Sequence, residues 1–269
     1  MEITLTDIER ESYKNSPLHK LDGRIKILTT IAIIIFVVNL PRMNNDNFMR
    51  LSIIESYLII LMMVAKLNPV YVILRFIAVL PFGLGMVIIQ PFVRQPFIDS
   101  YTPFPLSLPF GLSMTYEGIE FGLSLLLKFV VCVTAIILFS STTKMNDMVI
   151  SARRLGIPKE FTLIMTMMVR YLFLFWSMLK RIRVAQNTRL FNIWNKNVTR
   201  KWILTQVGNT VSSLFVRSYE QGERTYISML CRGYGSNKEM YIHKSKLKMA
   251  DFVFTILTMG TILGVYLYV

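Results

Sequence analysis

Residues 118–141, GIEFGLSLLLKFVVCVTAIILFSS, form an apolar run of bilayer-crossing length, and Lys144 stands just beyond its end. A helix of ~20 apolar residues, rising ~1.5 Å each, crosses the hydrocarbon core of a membrane. The surrounding composition agrees. The chain has 269 residues, 53% of them hydrophobic, and a mean hydropathy of +0.48, which is too apolar for an ordinary soluble domain. It reads as an integral membrane protein.

Further runs lie on both sides. The first spans about Ile25 to Leu40 and ends at Pro41 and Met43-Asn44-Asn45-Asp46; it covers roughly 24 Å as a helix, short for a bilayer but workable with its flanks. Leu51 to Ala65 follows, interrupted by Glu55 and Ser56. Val70 to Gln90 is broken by Pro81-Phe82-Gly83, where a kink is expected. A Pro-rich loop, Pro91 to Tyr116, carries Pro96, Pro103, Pro105 and Pro109, and the last apolar run is Phe252 to Val269. The expected fold is all-α: about five transmembrane helices, with long amphipathic cytoplasmic helices between the fourth and fifth. The expected divisions are an N-terminal segment 1–24, four membrane helices in 25–143, a basic region 144–248 and a C-terminal membrane helix 249–269.

The net charge of +14 is concentrated in the basic region, where 19 Lys/Arg face 5 Asp/Glu; the rest of the chain is balanced. Lys and Arg near helix ends favour the cytoplasmic side. Lys20, Arg24 and Lys26 flank the first helix, and Lys144, Lys244, Lys246 and Lys248 flank the basic region. Four crossings return the chain to its starting side, so both charge signals place the N-terminus and the basic region inside and the C-terminus outside a cell membrane. No removable signal peptide is expected, since no small-residue cleavage site follows the first run.

Within the basic region the pattern is helical. Leu155-Gly156-Ile157-Pro158 reads as a helix stop followed by a start. A short helix, about Asn146 to Leu155, thus precedes a long one in which Phe161, Met165, Met168, Leu172, Phe175, Leu179 and Ile182 recur at steps of four and three, a one-faced stripe. Such a stripe serves either intrachain packing or a partner. A further helix, about Trp202 to Cys231, carries Ile203, Val207, Val211 and Leu214 on one face. Near the ends of the two long helices stand similar segments, Ala185-Gln186-Asn187-Thr188-Arg189-Leu190-Phe191 and Ser228-Met229-Leu230-Cys231-Arg232-Gly233-Tyr234. Small residues permit close approach, and the Arg fork suits a carboxylate or a helix C-terminus. By residue types alone a solvated or lipid-facing arginine is the alternative.

Several longer stretches carry a resemblance. Ser16-Pro17-Leu18-His19-Lys20-Leu21-Asp22-Gly23-Arg24-Ile25-Lys26, Leu155-Gly156-Ile157-Pro158 with Arg170-Tyr171-Leu172-Phe173, and Leu214-Phe215-Val216-Arg217-Ser218-Tyr219-Glu220-Gln221-Gly222-Glu223-Arg224 leading into Arg232-Gly233-Tyr234 occur in order over most of the chain. Together they resemble the transmembrane coupling (T) component of energy-coupling factor ABC transporters, above all the cobalt/nickel-type Q subunit. The resemblance implies that Ala-Arg-Gly tripeptides end the long cytoplasmic coupling helices and insert into grooves of two ABC ATPase subunits. Carried over, these are Thr188-Arg189-Leu190 and Cys231-Arg232-Gly233, with Ala replaced by Thr and Cys and the first Gly by Leu190. It further implies a separate substrate-binding membrane subunit and uptake of cobalt, nickel or a vitamin.

Residue chemistry points the same way. No G-x-x-x-x-G-K-[ST] phosphate loop is present, so ATP hydrolysis is expected in a partner and no catalytic residue or cofactor in this chain. Cys132 and Cys231, and His19 and His243, show no metal-ligand spacing, so no metal site is expected. The 17 Met residues fall in apolar stripes and read as packing. Glu55 and Lys128 lie inside apolar runs, where a structural role is favoured over a transport path. Membrane lipid is an expected partner and nucleic acid is not. Two rivals remain: a self-contained secondary transporter or channel, which should show paired half-helices or inverted repeats, and a scaffold binding anionic lipid, which explains the charge but not the paired arginine segments.

Overall fold

The computed structural model describes residues 11–14, 16–41, 45–92, 103–107, 113–191, 198–235 and 248–268. His243, Lys244, Lys246, Pro96 and Pro109 lie outside the described residues. The helices are α1 (Gly23–Asn39), α2 (Asn45–Val64), α3 (Pro69–Ile89), α4 (Tyr116–Thr142), α5 (Met145–Arg154), α6 (Lys159–Thr188), α7 (Arg200–Cys231) and α8 (Met249–Tyr268). Within the Pro-rich connection, β1 (Pro103–Ser107) and β2 (Ser113–Thr115) pair as a short antiparallel ribbon, with an irregular register between Pro103↔Thr115 and Ser107↔Ser113. The protein is all-α apart from this ribbon.

The chain divides into two compact units, residues 1–157 with 246–269, and residues 158–245. In the first, α4 is the axis against which α1, α2 and α3 each pack, and α8 lies against α1 and α2. The buried positions step at helical spacing: Leu51, Ile54, Leu58 and Leu61 on α2, and Val131, Ala135 and Leu138 on α4, with Ile33 and Val37 from α1. Side chains such as Met63 and Phe82 point outward, as a lipid-facing surface would. Inside a bilayer such a core holds by close fit rather than by expulsion of water, and glycines permit that fit. α3 runs unbroken through Pro81. Two residues on, a Cβ at Gly83 would overlap the Phe129 ring of α4.

By length and composition, five of the described helices can cross a membrane: Asn47–Val64, Pro69–Ile89, Gly118–Thr142, Lys159–Thr188 and Met249–Leu267. This set differs from the apolar runs of the sequence in one member. α1 is apolar but only 17 residues long, at the lower limit for a crossing. α6 qualifies because its first two-thirds are densely apolar, Lys180, Arg181 and Arg183 falling near its C-terminal end.

The second unit is built on α6 and α7, which run antiparallel. Tyr171 Oη and Thr225 Oγ1 share a hydrogen bond of 2.5 Å, and Gln186 Nε2 donates to Thr210 Oγ1 at 2.7 Å, so contacts advance along one helix as they retreat along the other. At the turn, the rings of Phe191 and Trp202 meet at 5.6 Å.

Candidate functional site

The two arginine segments adopt one backbone geometry. At the end of α6, the N–H of Arg189 donates to Gln186 O (3.0 Å), that of Leu190 to Asn187 O (2.9 Å) and that of Phe191 back to Gln186 O (3.0 Å). At the end of α7, Arg232 donates to Met229 O (3.1 Å), Gly233 to Leu230 O (2.9 Å) and Tyr234 to Met229 O (3.0 Å). Each is a Schellman stop, in which the residue after the cap takes a positive φ so that orphan carbonyls find donors. Arg189 and Arg232 are the caps, at φ −90°, ψ 16° and φ −90°, ψ 7°. Leu190 and Gly233 follow at φ 59° and 81°. The repeated small-x-x-x-Arg-x-aromatic pattern is therefore the sequence form of a repeated helix end.

Both arginines are exposed, and among the described residues neither guanidinium has an ion-pair partner. Because the helices are antiparallel, the two ends point to opposite extremes of the hairpin, about 35 Å apart along its length. Thr188 turns its hydroxyl back to Ala185 O (2.9 Å), while Cys231 is a free, exposed thiol. Leu190 is the exception to the pairing: it holds a conformation suited to glycine, which costs an L-residue about 1 kcal/mol, and its side chain is 90% exposed.

The apolar stripe of α6 has two parts. Phe175, Leu179 and Ile182 are half-buried between Tyr171 and Gln186, the residues that bond to α7, so this part packs within the chain. Met165 and Leu172 are also half-buried, whereas Phe161 and Met168 are exposed. The sequence grouping on α7 shifts by part of a turn. Ile203 and Leu214 lie in line with Thr210 and are half-buried, but Val207 and Val211 are exposed and align with Leu204 and Phe215 in an uncovered apolar stripe. The face of α7 that carries Thr210 and Thr225 meets α6: their hydroxyls bond to Gln186 and Tyr171, and the half-buried Ile203 and Leu214 lie on the same side.

In the first unit, the run from Ser16 to Lys26 forms a junction. Asp22 Oδ1 accepts the N–H of Arg24 at 3.1 Å, capping α1. Its Oδ2 pairs with Arg154 of α5 at 3.5 Å, and its N–H donates to Asp251 Oδ1 at 2.9 Å. Asp251 also accepts the N–H of Lys248 at 2.7 Å, capping α8. The residues just before and just after the second unit in the chain are thus tied to one aspartate. Gly23 makes this possible, since a Cβ there would overlap Ser151 Oγ of α5. His19 serves the same turn: its Nε2–H donates to Glu11 O (3.1 Å), leaving Nδ1 to accept from Ser16 Oγ (2.6 Å), and burial lowers its pKa below the ordinary imidazole value. These roles depend on contacts between distant segments and carried no sequence signal beyond the run itself.

The intramembrane charges are also placed structurally. Lys128 Nζ donates to Leu40 O at 2.6 Å, at the C-terminal end of α1, and does not pair with Glu55. Glu55 accepts from Thr134 Oγ1 at 2.9 Å, joining α2 to α4. Lys26, used above as a topology signal, is buried and donates to Thr142 O at 2.8 Å, at the end of α4. Among the described residues no three His, Cys, Asp or Glu side chains are grouped to hold a metal ion.

Comparison with known proteins agrees with this architecture. The chain is 25% identical to an uncharacterized protein of Methanocaldococcus jannaschii over 88% of its own length and 77% of the relative's. A second uncharacterized protein of that organism is 29% identical over 46% of this chain and 45% of its own. The energy-coupling factor transporter transmembrane protein EcfT of Thermosediminibacter oceani is 24% identical over 94% of this chain and 96% of its own. Residues 14–242 match the cobalt transport protein family CbiQ. A multi-pass helical protein with this match over most of its length is a membrane component of transport and energy coupling, and the chain belongs to the CbiQ family.

Proposed function

We propose that the chain is the transmembrane coupling subunit of an energy-coupling factor importer, and that the helix ends at Arg189 and Arg232 each dock on one of two ABC ATPase subunits. The observation that carries this is the repeated helix end: the same cap, the same residue and an exposed arginine, at opposite extremes of one hairpin. Closure of an ATPase pair would displace both ends, and the hairpin, braced by Tyr171–Thr225 and Gln186–Thr210, would move as a lever. The exposed apolar residues Phe161 and Met168 on α6 and Leu204 and Val211 on α7 offer a surface to a separate substrate-binding membrane subunit. The family's description favours a cobalt ion as the cargo; a nickel ion or a vitamin is the alternative.

In this reading α1 crosses the membrane and α6 lies along its inner face. The N-terminus and the basic region are cytoplasmic, and the C-terminus is outside. Lys144, Arg153 and Arg154 support this placement, because if α6 crossed in place of α1 with the N-terminus inside, these cations after α4 would face outside. The test is co-purification of the ATPase pair with charge-reversed chains. Arg189→Glu and Arg232→Glu should each weaken association while membrane insertion is kept. A double variant that still brings down both ATPases at the unaltered ratio contradicts the reading.

A further inference from the structure

We infer that Leu190 is a specificity residue: it makes the α6 end an apolar contact, received by a hydrophobic pocket on its ATPase subunit that the α7 end does not require. This rests on the docking reading above. The two ends match in the pattern of their cap hydrogen bonds and closely in the backbone angles of their arginines, yet at the positive-φ position itself one carries leucine and the other glycine. Gly233 suits the positive φ, and Leu190 does not. At 90% exposure, Leu190 gains little packing from the described residues to offset that cost. Lys66 is the other described non-glycine residue at positive φ, 54°, and its cation lies at the negative end of α2, where the helix dipole favours it. Leu190 brings no charge to its helix end. What remains to reward it is a surface outside the chain, adjoining the groove that takes Arg189. The first contact is thereby apolar as well as ionic, and the second is close and backbone-mediated.

The experiment titrates the full chain in detergent with the ATPase pair that co-purifies with it, comparing Leu190→Gly, Leu190→Met, Arg189→Glu and Arg232→Glu. Withdrawing a leucine from an apolar pocket corresponds to a loss of about tenfold or more in affinity. Leu190→Gly should lose about that much despite a better-formed helix end, and Leu190→Met, which keeps the volume, should stay within about twofold. If Leu190→Gly binds as the unaltered chain does while Arg189→Glu is impaired, Leu190 is passive and this inference fails while the docking reading stands. If both arginine variants bind normally, the docking reading itself fails. If Leu190→Gly changes only partition into anionic vesicles, its surface is lipid and the inference is overturned.

Discussion

Lys26 and Lys128 cap each other's helices. Lys26, in the first turns of α1, donates to Thr142 O at the end of α4, and Lys128 of α4 donates to Leu40 O at the end of α1. The two helices are antiparallel, and each lysine satisfies a terminal carbonyl that has no partner in its own helix. Replacing Lys128 with Met keeps the aliphatic stem and removes the donor, leaving a carbonyl unsatisfied at a cost of about 1–3 kcal/mol. Lys26→Met should cost a similar amount. Because the two caps are well separated, their losses should add in unfolding measurements in detergent; a double variant no less stable than either single one would mean the caps are not independent.

The contact between α1 and α5 depends on the missing side chain at Gly23. Gly23→Ala should destabilise the protein by about 1–3 kcal/mol. Ser151→Ala in the same chain should recover most of this, because the nearest remaining atom, the Ser151 Cβ, is 3.3 Å away. Equal thermal stability of Gly23→Ala and the unaltered chain would show that the close approach of α1 to α5 does not depend on Gly23.

Leu190→Gly has a separate consequence for the isolated chain. Relief of the left-handed conformation should stabilise the end of α6 by up to about 1 kcal/mol. Hydrogen exchange at the amides of Leu190 and Phe191 reads this locally, and slower exchange is the expected result.

Acidification should loosen the N-terminal turn through His19. Burial favours its neutral form, and the cation of Lys26 acts in the same direction. The unfolded chain therefore binds the proton more readily, so the stability contributed is complete above about pH 6.5 and lost as the pH falls below it. His19→Gln should flatten this part of the pH dependence of melting between about pH 7.5 and 5.5. An unchanged profile would assign the effect to other groups.

Four of the apolar runs were legible as spanning helices because runs of this length have one stable form in a bilayer, the observed bounds of α4 differing from the run at 118–141 by only a few residues, whereas the capacity of α6 to cross was hidden by its one-faced stripe. Leu155-Gly156-Ile157-Pro158 was legible for a local reason as well: Gly156 takes φ +113° and Pro158 caps α6. The likeness of the arginine segments was visible as residue types, but not that both are Schellman stops, because Leu190 masks the glycine signal. Asp22 with Arg154 and Asp251 could not be read, since those pairings span most of the chain. Nor could the roles of Lys26 and Lys128: a lysine beside or inside an apolar run signals topology or function by composition, while its partner is set by which helices pack antiparallel.

Contact between ATPase subunits and the ends of α6 and α7 is what the proposed coupling role requires. A photoreactive phenylalanine analogue placed at Thr188 or at Cys231, immediately before each arginine, tests it in membranes that contain the ATPase pair, with the same probe at Leu58 in the core as the control. Docking of both helix ends gives adducts to an ATPase subunit from each and none from Leu58. Adducts from neither end, with the ATPases present and the chain inserted, would contradict it.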